Sequence, residues 1–195
     1  MVLKPCETAR AAAWIVESGQ PWQDLAGFGP SGFESYARLR FMPDPGSGSD
    51  VADPDEPTDQ AKVARLCALL RSATATPDDS YFAIWEGWPN SSALMRQSAR
   101  MHIPNRSYYL LRGSLSEFGQ WGVPETGHNP AAFVWPADHA WCIASDVDDH
   151  WASVGASAAV IEGLLINGGL DIVTADPDLG ADSQYCPPAG YFRRR

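Results

Sequence analysis

The chain has 195 residues, 45% of them hydrophobic, and its 24 acidic against 14 basic residues give a formal charge of −10. That length can bury a substantial core without disulfide or metal staples. The acidic balance argues against nonspecific nucleic-acid binding, which needs a positive footprint on the phosphates, and suits solubility and a basic protein partner.

In chain order, residues 8–18 predict a short helix that ends at Gly19, with Trp14 and Ile15 on its buried face. A Gly/Pro-rich connection through Phe28-Gly29-Pro30-Ser31-Gly32-Phe33 leads to a strand over 36–42. In that strand Tyr36, Arg38, Arg40 and Met42 alternate with Ala37, Leu39 and Phe41, a pattern that predicts one exposed face. Residues 43–57 are dominated by Pro, Gly, Ser and Asp and read as a mobile acidic loop. Over 58–71, Val63, Leu66, Cys67 and Leu70 recur at helical spacing behind Thr58 or Asp59 as the cap.

Residues 80–88 and 106–113 are β-prone and predict central strands. The segments 132–135 and 141–144, separated by Pro136-Ala137-Asp138-His139, predict a hairpin, and 151–154 an edge strand. A last helix is expected over 157–166 with Ser157 as its N-cap, then a strand at 170–174 and an irregular tail at 177–195. Crossover helices are missing between most successive strands, so a parallel sheet is not expected. The expected fold is α+β: one globular domain over 1–195, a mainly antiparallel sheet flanked by two or three helices as a single layer pair.

Two stretches carry candidate chemistry. The first, Trp135 to Trp151, holds three tryptophans, two histidines and four aspartates. Its acidic turn Asp146-Val147-Asp148-Asp149-His150 offers oxygen ligands but lacks the Asp-x-Asp-x-Asp-Gly opening of an EF-hand, and reads as a contact surface. His139 and His150 flank a strand and would lie roughly 30 Å apart at β rise, too far to share a metal. The second stretch is Trp85-Glu86-Gly87-Trp88, where a buried Glu86 would have a raised pKa suited to acid–base work. A structural ion pair of Glu86 with Arg106 or Arg112 on the neighbouring strand is the simpler expectation.

Other chemistries lack their motifs. There is no Gly-x-Ser-x-Gly elbow, phosphate loop, Gly-x-Gly-x-x-Gly fingerprint or His-Glu-x-x-His helix, so neither a metal nor a cofactor is expected. Cys6, Cys67, Cys142 and Cys186 form no Cys-x-x-Cys pair. The N-terminus has no basic segment leading into an apolar signal core, and no apolar run approaches spanning length, so the chain reads as cytoplasmic with no membrane partner.

The segments 32–38, 82–88, 108–113 and 135–141 together resemble a group of uncharacterised actinobacterial proteins. That resemblance implies a bacterial source and a single domain, and it carries no activity or site residues. The late strand, acidic turn and helix are similar in architecture to immunity proteins of bacterial toxin systems. The sequence therefore predicts a non-catalytic binding protein, immunity- or adaptor-like, whose acidic surface engages a protein partner. Its expected binding residues are Asp146, Asp148, Asp149, His150, Trp85, Glu86 and Trp88. The alternative is an enzyme or small-ligand binder whose Trp-lined pocket uses Glu86, Asp146 and Asp148.

Overall fold

A computed structural model of the chain describes residues 2–44, 57–123, 130–147, 149–180 and 184. Most of the loop expected at 43–57, most of the tail expected at 177–195, Asp148, His128 and Cys186 lie outside the described residues.

Among the described residues nine strands form one sheet: β1 Lys4–Pro5, β2 Ser35–Arg40, β3 Ser80–Trp85, β4 Arg100–Ile103, β5 Arg106–Gly113, β6 Phe133–Pro136, β7 Cys142–Ala144, β8 Trp151–Ala156 and β9 Ile172–Ala175. They are ordered β1-β5-β3-β6-β7-β8-β2-β9, with β4 also on β5. All described pairings are antiparallel. β1 and β4 share one edge of β5, meeting around Leu110, whose N–H bonds to Ala99 O while its own carbonyl accepts from Cys6 N. Helices with described bounds are α1 Ala13–Val16, α2 Trp22–Phe28, α3 Asp59–Leu70, α4 Ala93–Arg96 and α5 Ala158–Ile166. The fold is α+β with a mostly antiparallel sheet, as its sequence pattern predicts.

The two-residue period of the strands sorts side chains onto two faces. Leu39, Phe82, Ile84, Leu111, Val134, Ile143 and Val154 share one core with Val63, Leu66, Cys67 and Leu70 of α3 and with Ile161 and Leu164 of α5. Ala83, Tyr108, Leu110, Phe133, Trp135 and Cys142 face the other way, against Ile15 of α1 and Leu25 and Ala26 of α2. Helices therefore cover the sheet on both sides. The spacing in α3 specifies its buried stripe, and the Thr58 side chain accepts from Ala61 N at 3.2 Å to cap it.

Several elements differ from the sequence expectation. The helix expected over 8–18 is broken into a 3-10 turn at Arg10–Ala12 and the single turn α1, and Gly19 follows at φ 74°. α2 occupies part of the stretch read as a connection, and β4 is an added strand. β4 joins β5 through a tight turn in which Asn105 takes φ 64°, a left-handed conformation that Asn tolerates. β8 is no edge strand: it lies between β7 and β2 and is buried along its whole length, because its small residues leave room for cover on both faces. On the face of β2 expected to be exposed, Met42 stays open but Arg38 is covered. Arg38, 2% exposed, donates to both carboxylate oxygens of Asp44 at 3.0 and 3.1 Å and to the carbonyl of Gln184 at 2.8 Å.

The hairpin of β6 and β7 forms as expected. Asp138 in its turn accepts from Thr74 Oγ1 at 2.8 Å and from the backbone N–H groups of Ala75 and Ala140 at 2.7 and 3.2 Å. Burial works against ionisation of Asp138, but these donors prevail and hold its pKa below the usual 3.8. His139, at φ 55°, stacks on Trp14 with ring centroids 4.3 Å apart.

Candidate functional site

The two stretches singled out by sequence meet at Arg106. Its guanidinium donates to both carboxylate oxygens of Asp146, each at 3.0 Å, and lies over the rings of Trp22 and Trp85 at 5.1 and 5.9 Å. Each element supplies one part: α2 gives Trp22, the end of β3 gives Trp85, the start of β5 gives Arg106, and the turn after β7 gives Asp146. A planar cation over two indole rings, held by a bidentate carboxylate, is a strong and geometrically fixed arrangement. Both charged side chains are nearly covered, 14% exposed for Arg106 and 15% for Asp146. Asp146 is therefore held inward and is not part of an open acidic face.

Glu86 pairs elsewhere. Its carboxylate accepts from Ser107 Oγ at 2.7 Å and from Arg100 Nε at 3.0 Å. The partner is thus Arg100 of β4, and neither Arg106 nor Arg112, since Arg112 is bound to Asp79. The hydroxyl of Ser107, then Arg100, lower the Glu86 pKa from its ordinary value. That is the opposite of the rise a buried acid would show. Trp85 and Trp88 pack edge to face at 5.2 Å around Glu86, Trp85 towards the α1–α2 side and Trp88 towards the α3–α5 side.

Asp149 lies beside α2, where a Cβ on Gly27 would come within 3.4 Å of its Oδ2. His150 is exposed, and its carbonyl accepts from Phe41 N at 2.9 Å. The structure thus joins Trp85 and Asp146, leaves Glu86 beside them in a separate ion pair, and sets Asp149 and His150 apart. No group of three or more His, Cys, Asp or Glu among the described residues could hold a metal ion. No helix among them is long and apolar enough to cross a membrane. The tryptophans of the first stretch are core anchors: Trp135 and Trp141 are fully buried, and Trp151 packs on Phe28 at 5.1 Å.

An open acidic surface does exist, at the other end of the sheet. A groove of about 720 Å³ runs between α5, the edge strand β9 and the segment before β2. Its walls carry Glu34, Glu162, Asp176 and Asp178 and, among the described residues, no Lys or Arg, and its lining includes Ile161 and Leu165. Glu34, Glu162 and Asp178 are exposed. Glu34 has a second role, because its Oε2 accepts from Ala158 N at 2.9 Å. Ser157 stands at the N-cap position of α5 as expected but makes no side-chain cap bond there. The groove has little signature in the sequence, because its residues come from three distant segments. The one local signal is Glu162, a carboxylate on the solvent side of an otherwise apolar helix.

No protein-family model matches the chain, and no curated protein or solved structure matches it either.

Proposed function

We propose that this protein is a non-catalytic binding protein, immunity- or adaptor-like, that engages a basic segment of a protein partner through an acidic surface. The observation that carries this reading is the groove between α5 and β9, whose walls hold the exposed carboxylates of Glu34, Glu162 and Asp178 and, among the described residues, no Lys or Arg. Its apolar lining can take a large side chain while the rim carboxylates meet Arg or Lys. This division between apolar anchor and charged rim gives affinity to the first and orientation and encounter rate to the second. The Trp22–Arg106–Trp85–Asp146 cluster serves as a brace for the opposite end of the sheet, since its charges are satisfied within the protein.

Titration with a fluorescent peptide that alternates Arg with Phe or Tyr tests the reading. Anisotropy should report saturable binding that weakens steeply between low and high salt. The variant E162K/D178K should bind about tenfold more weakly or worse, as two rim pairs become repulsive. Equal binding by that variant, or binding indifferent to salt, would overturn the assignment.

A further inference from the structure

We propose that the cavity beside β1 binds a small organic oxyanion, a phosphate ester or a carboxylate, between Lys4, Arg10 and Arg112. It lies at the opposite edge of the sheet from the acidic groove and does not depend on the reading of that groove. Three observations carry it.

The first is a charge conflict built by strand register. Lys4 of β1 stands directly opposite Arg112 of β5, and Arg112 stands opposite Tyr81 of β3. Like charges that face each other across a strand pair repel. Asp79 accepts from Arg112 Nε and Nη2 at 2.5 and 2.6 Å, which leaves Nη1 without a partner among the described residues. Lys4 has no ion pair or side-chain hydrogen bond among them.

The second is another cation held over the same row. Cys6 N donates to Leu110 O at 2.9 Å and the Cys6 carbonyl accepts from Ala99 N at 2.7 Å, so the chain leaves the sheet edge at a fixed point. The 3-10 turn Arg10–Ala12, anchored by the buried Ala12, then places Arg10 on the cavity lining with Lys4 and Arg112. Arg10 also lacks an ion pair or side-chain hydrogen bond among the described residues. In this acidic chain that is the exception, since Arg38, Arg40, Arg71, Arg100, Arg106 and Arg112 each hold a carboxylate. The exposed Glu7 also lines the cavity but forms no ion pair with Lys4 or Arg10.

The third is the size and the rest of the lining. At about 530 Å³ the cavity is far larger than a bare inorganic ion needs and falls in the range of small-molecule sites. Pro5 and Ala11 give it apolar surface. The Tyr81 ring is fixed by stacking on Trp135 at 5.4 Å, and its hydroxyl makes no hydrogen bond among the described residues. The oxyanion head thus meets the cations and the hydroxyl, while the organic body lies against Pro5 and Ala11. A guanidinium suits either head group, because its fork donates to two oxygens at once.

Ligand-observed NMR titration of the full chain with phenyl phosphate, benzoate and benzyl alcohol tests the proposal. Both anions should bind saturably and shift the amides of Thr8 and Arg112, and benzyl alcohol should bind at least about tenfold more weakly. The tighter of the two anions identifies the head group. Lys4→Glu and Arg10→Glu should each weaken anion binding about tenfold, because an attraction becomes a repulsion. Arg65→Glu changes the net charge equally at another arginine without an ion pair among the described residues, on α3, and should stay within about twofold. Dispersed amide spectra establish that each variant is folded. Equal losses for Arg65→Glu and Arg10→Glu overturn the proposal, as does benzyl alcohol binding as tightly as the anions. Absence of binding by either anion at about 10 mM overturns it too.

Discussion

Arg106 and Asp146 hold each other through two hydrogen bonds of 3.0 Å although they are 40 residues apart in the chain. Their pairing ties the start of β5 to the turn after β7, across a sheet in which β3 and β6 lie between those strands. Removing Arg106 leaves the nearly covered Asp146 carboxylate without this bidentate partner. Arg106→Ala should lower the unfolding free energy by about 2 kcal/mol in urea titration, below the 3–5 kcal/mol of fully buried pairs because both groups retain some solvent contact. Arg106→Lys should recover less than half of that, because an ammonium cannot make the two-pronged fork to Asp146. A loss within 0.5 kcal/mol for Arg106→Ala would show that the cluster is not a brace.

The start of α5 separates two capping residues that sequence alone cannot distinguish. Glu34, from the segment before β2, accepts from Ala158 N, whereas Ser157 contributes no side-chain bond. A carboxylate at a helix N-terminus also interacts well with the helix dipole. Glu34→Ala should cost about 1 kcal/mol, and Ser157→Ala should stay within about 0.5 kcal/mol of the parent. Denaturant midpoints of the two variants check this, and the reverse order would contradict the structure.

His139 gives the fold a measurable pH dependence. Partial desolvation of this otherwise exposed ring outweighs the nearby Asp138 carboxylate and lowers its pKa below 6.5 in the folded chain. The unfolded chain therefore binds the proton more readily. The contribution to stability is fully present above about pH 6.5 and is lost as the pH falls through the folded value. His139→Asn keeps a residue that tolerates the positive φ but removes the titration. Its thermal midpoint should fall less than that of the parent when the pH drops from about 7 to about 5. Equal falls for the two proteins would assign the acid sensitivity to other groups.

Gly155 sits opposite Tyr36 in β2 and Cys142 in β7, in the middle of the sheet. A Cβ there would stand 2.5 Å from Phe33 Cδ2 and 2.7 Å from Tyr36 Cε1. Those rings pack edge to face at 6.1 Å, and both line the acidic groove. Gly155→Ala should destabilise the chain by about 1–3 kcal/mol through overpacking. Because Phe33 and Tyr36 must move, near-UV circular dichroism should change along with the denaturation midpoint. An unchanged spectrum with full stability would contradict the packing described.

Elements specified by local pattern were the legible ones. Val63, Leu66, Cys67 and Leu70 place α3, and the apolar runs of β3 and β5 place the central strands. α2 was hidden because Pro21, Gly27 and Gly29 punctuate it, and its helix is held by packing of Leu25 and Ala26 on the sheet. β4 is short and half polar, and pairing with β5 decides its state more than its own propensity does. The site depends still more on distant pairing. Glu86 follows β3, and its arginine comes not from the adjacent β5 but from β4 on the far side of β5, so only the presence of β4 selects Arg100. Arg106, left available, then takes Asp146. The acidic groove assembles from segments near residues 34, 162 and 176, a grouping that no local window of sequence contains.

The position of β2 between β8 and β9 also bears on how the protein is made. Both hydrogen-bonding neighbours of this early strand are translated more than a hundred residues after it. While the nascent chain is still short of Trp151, β2 has no strand to pair with, and Ala37 and Leu39 lack the β8 side of their core. Long-range strand pairing of this kind folds slowly and leaves unpaired edges open to wrong partners. Synthesis thus carries an interval in which Ser35–Arg40 is an unsatisfied strand. The alternation of Arg38 and Arg40 with apolar residues then acts as a gatekeeper, with positive charge discouraging self-association until the last strands arrive.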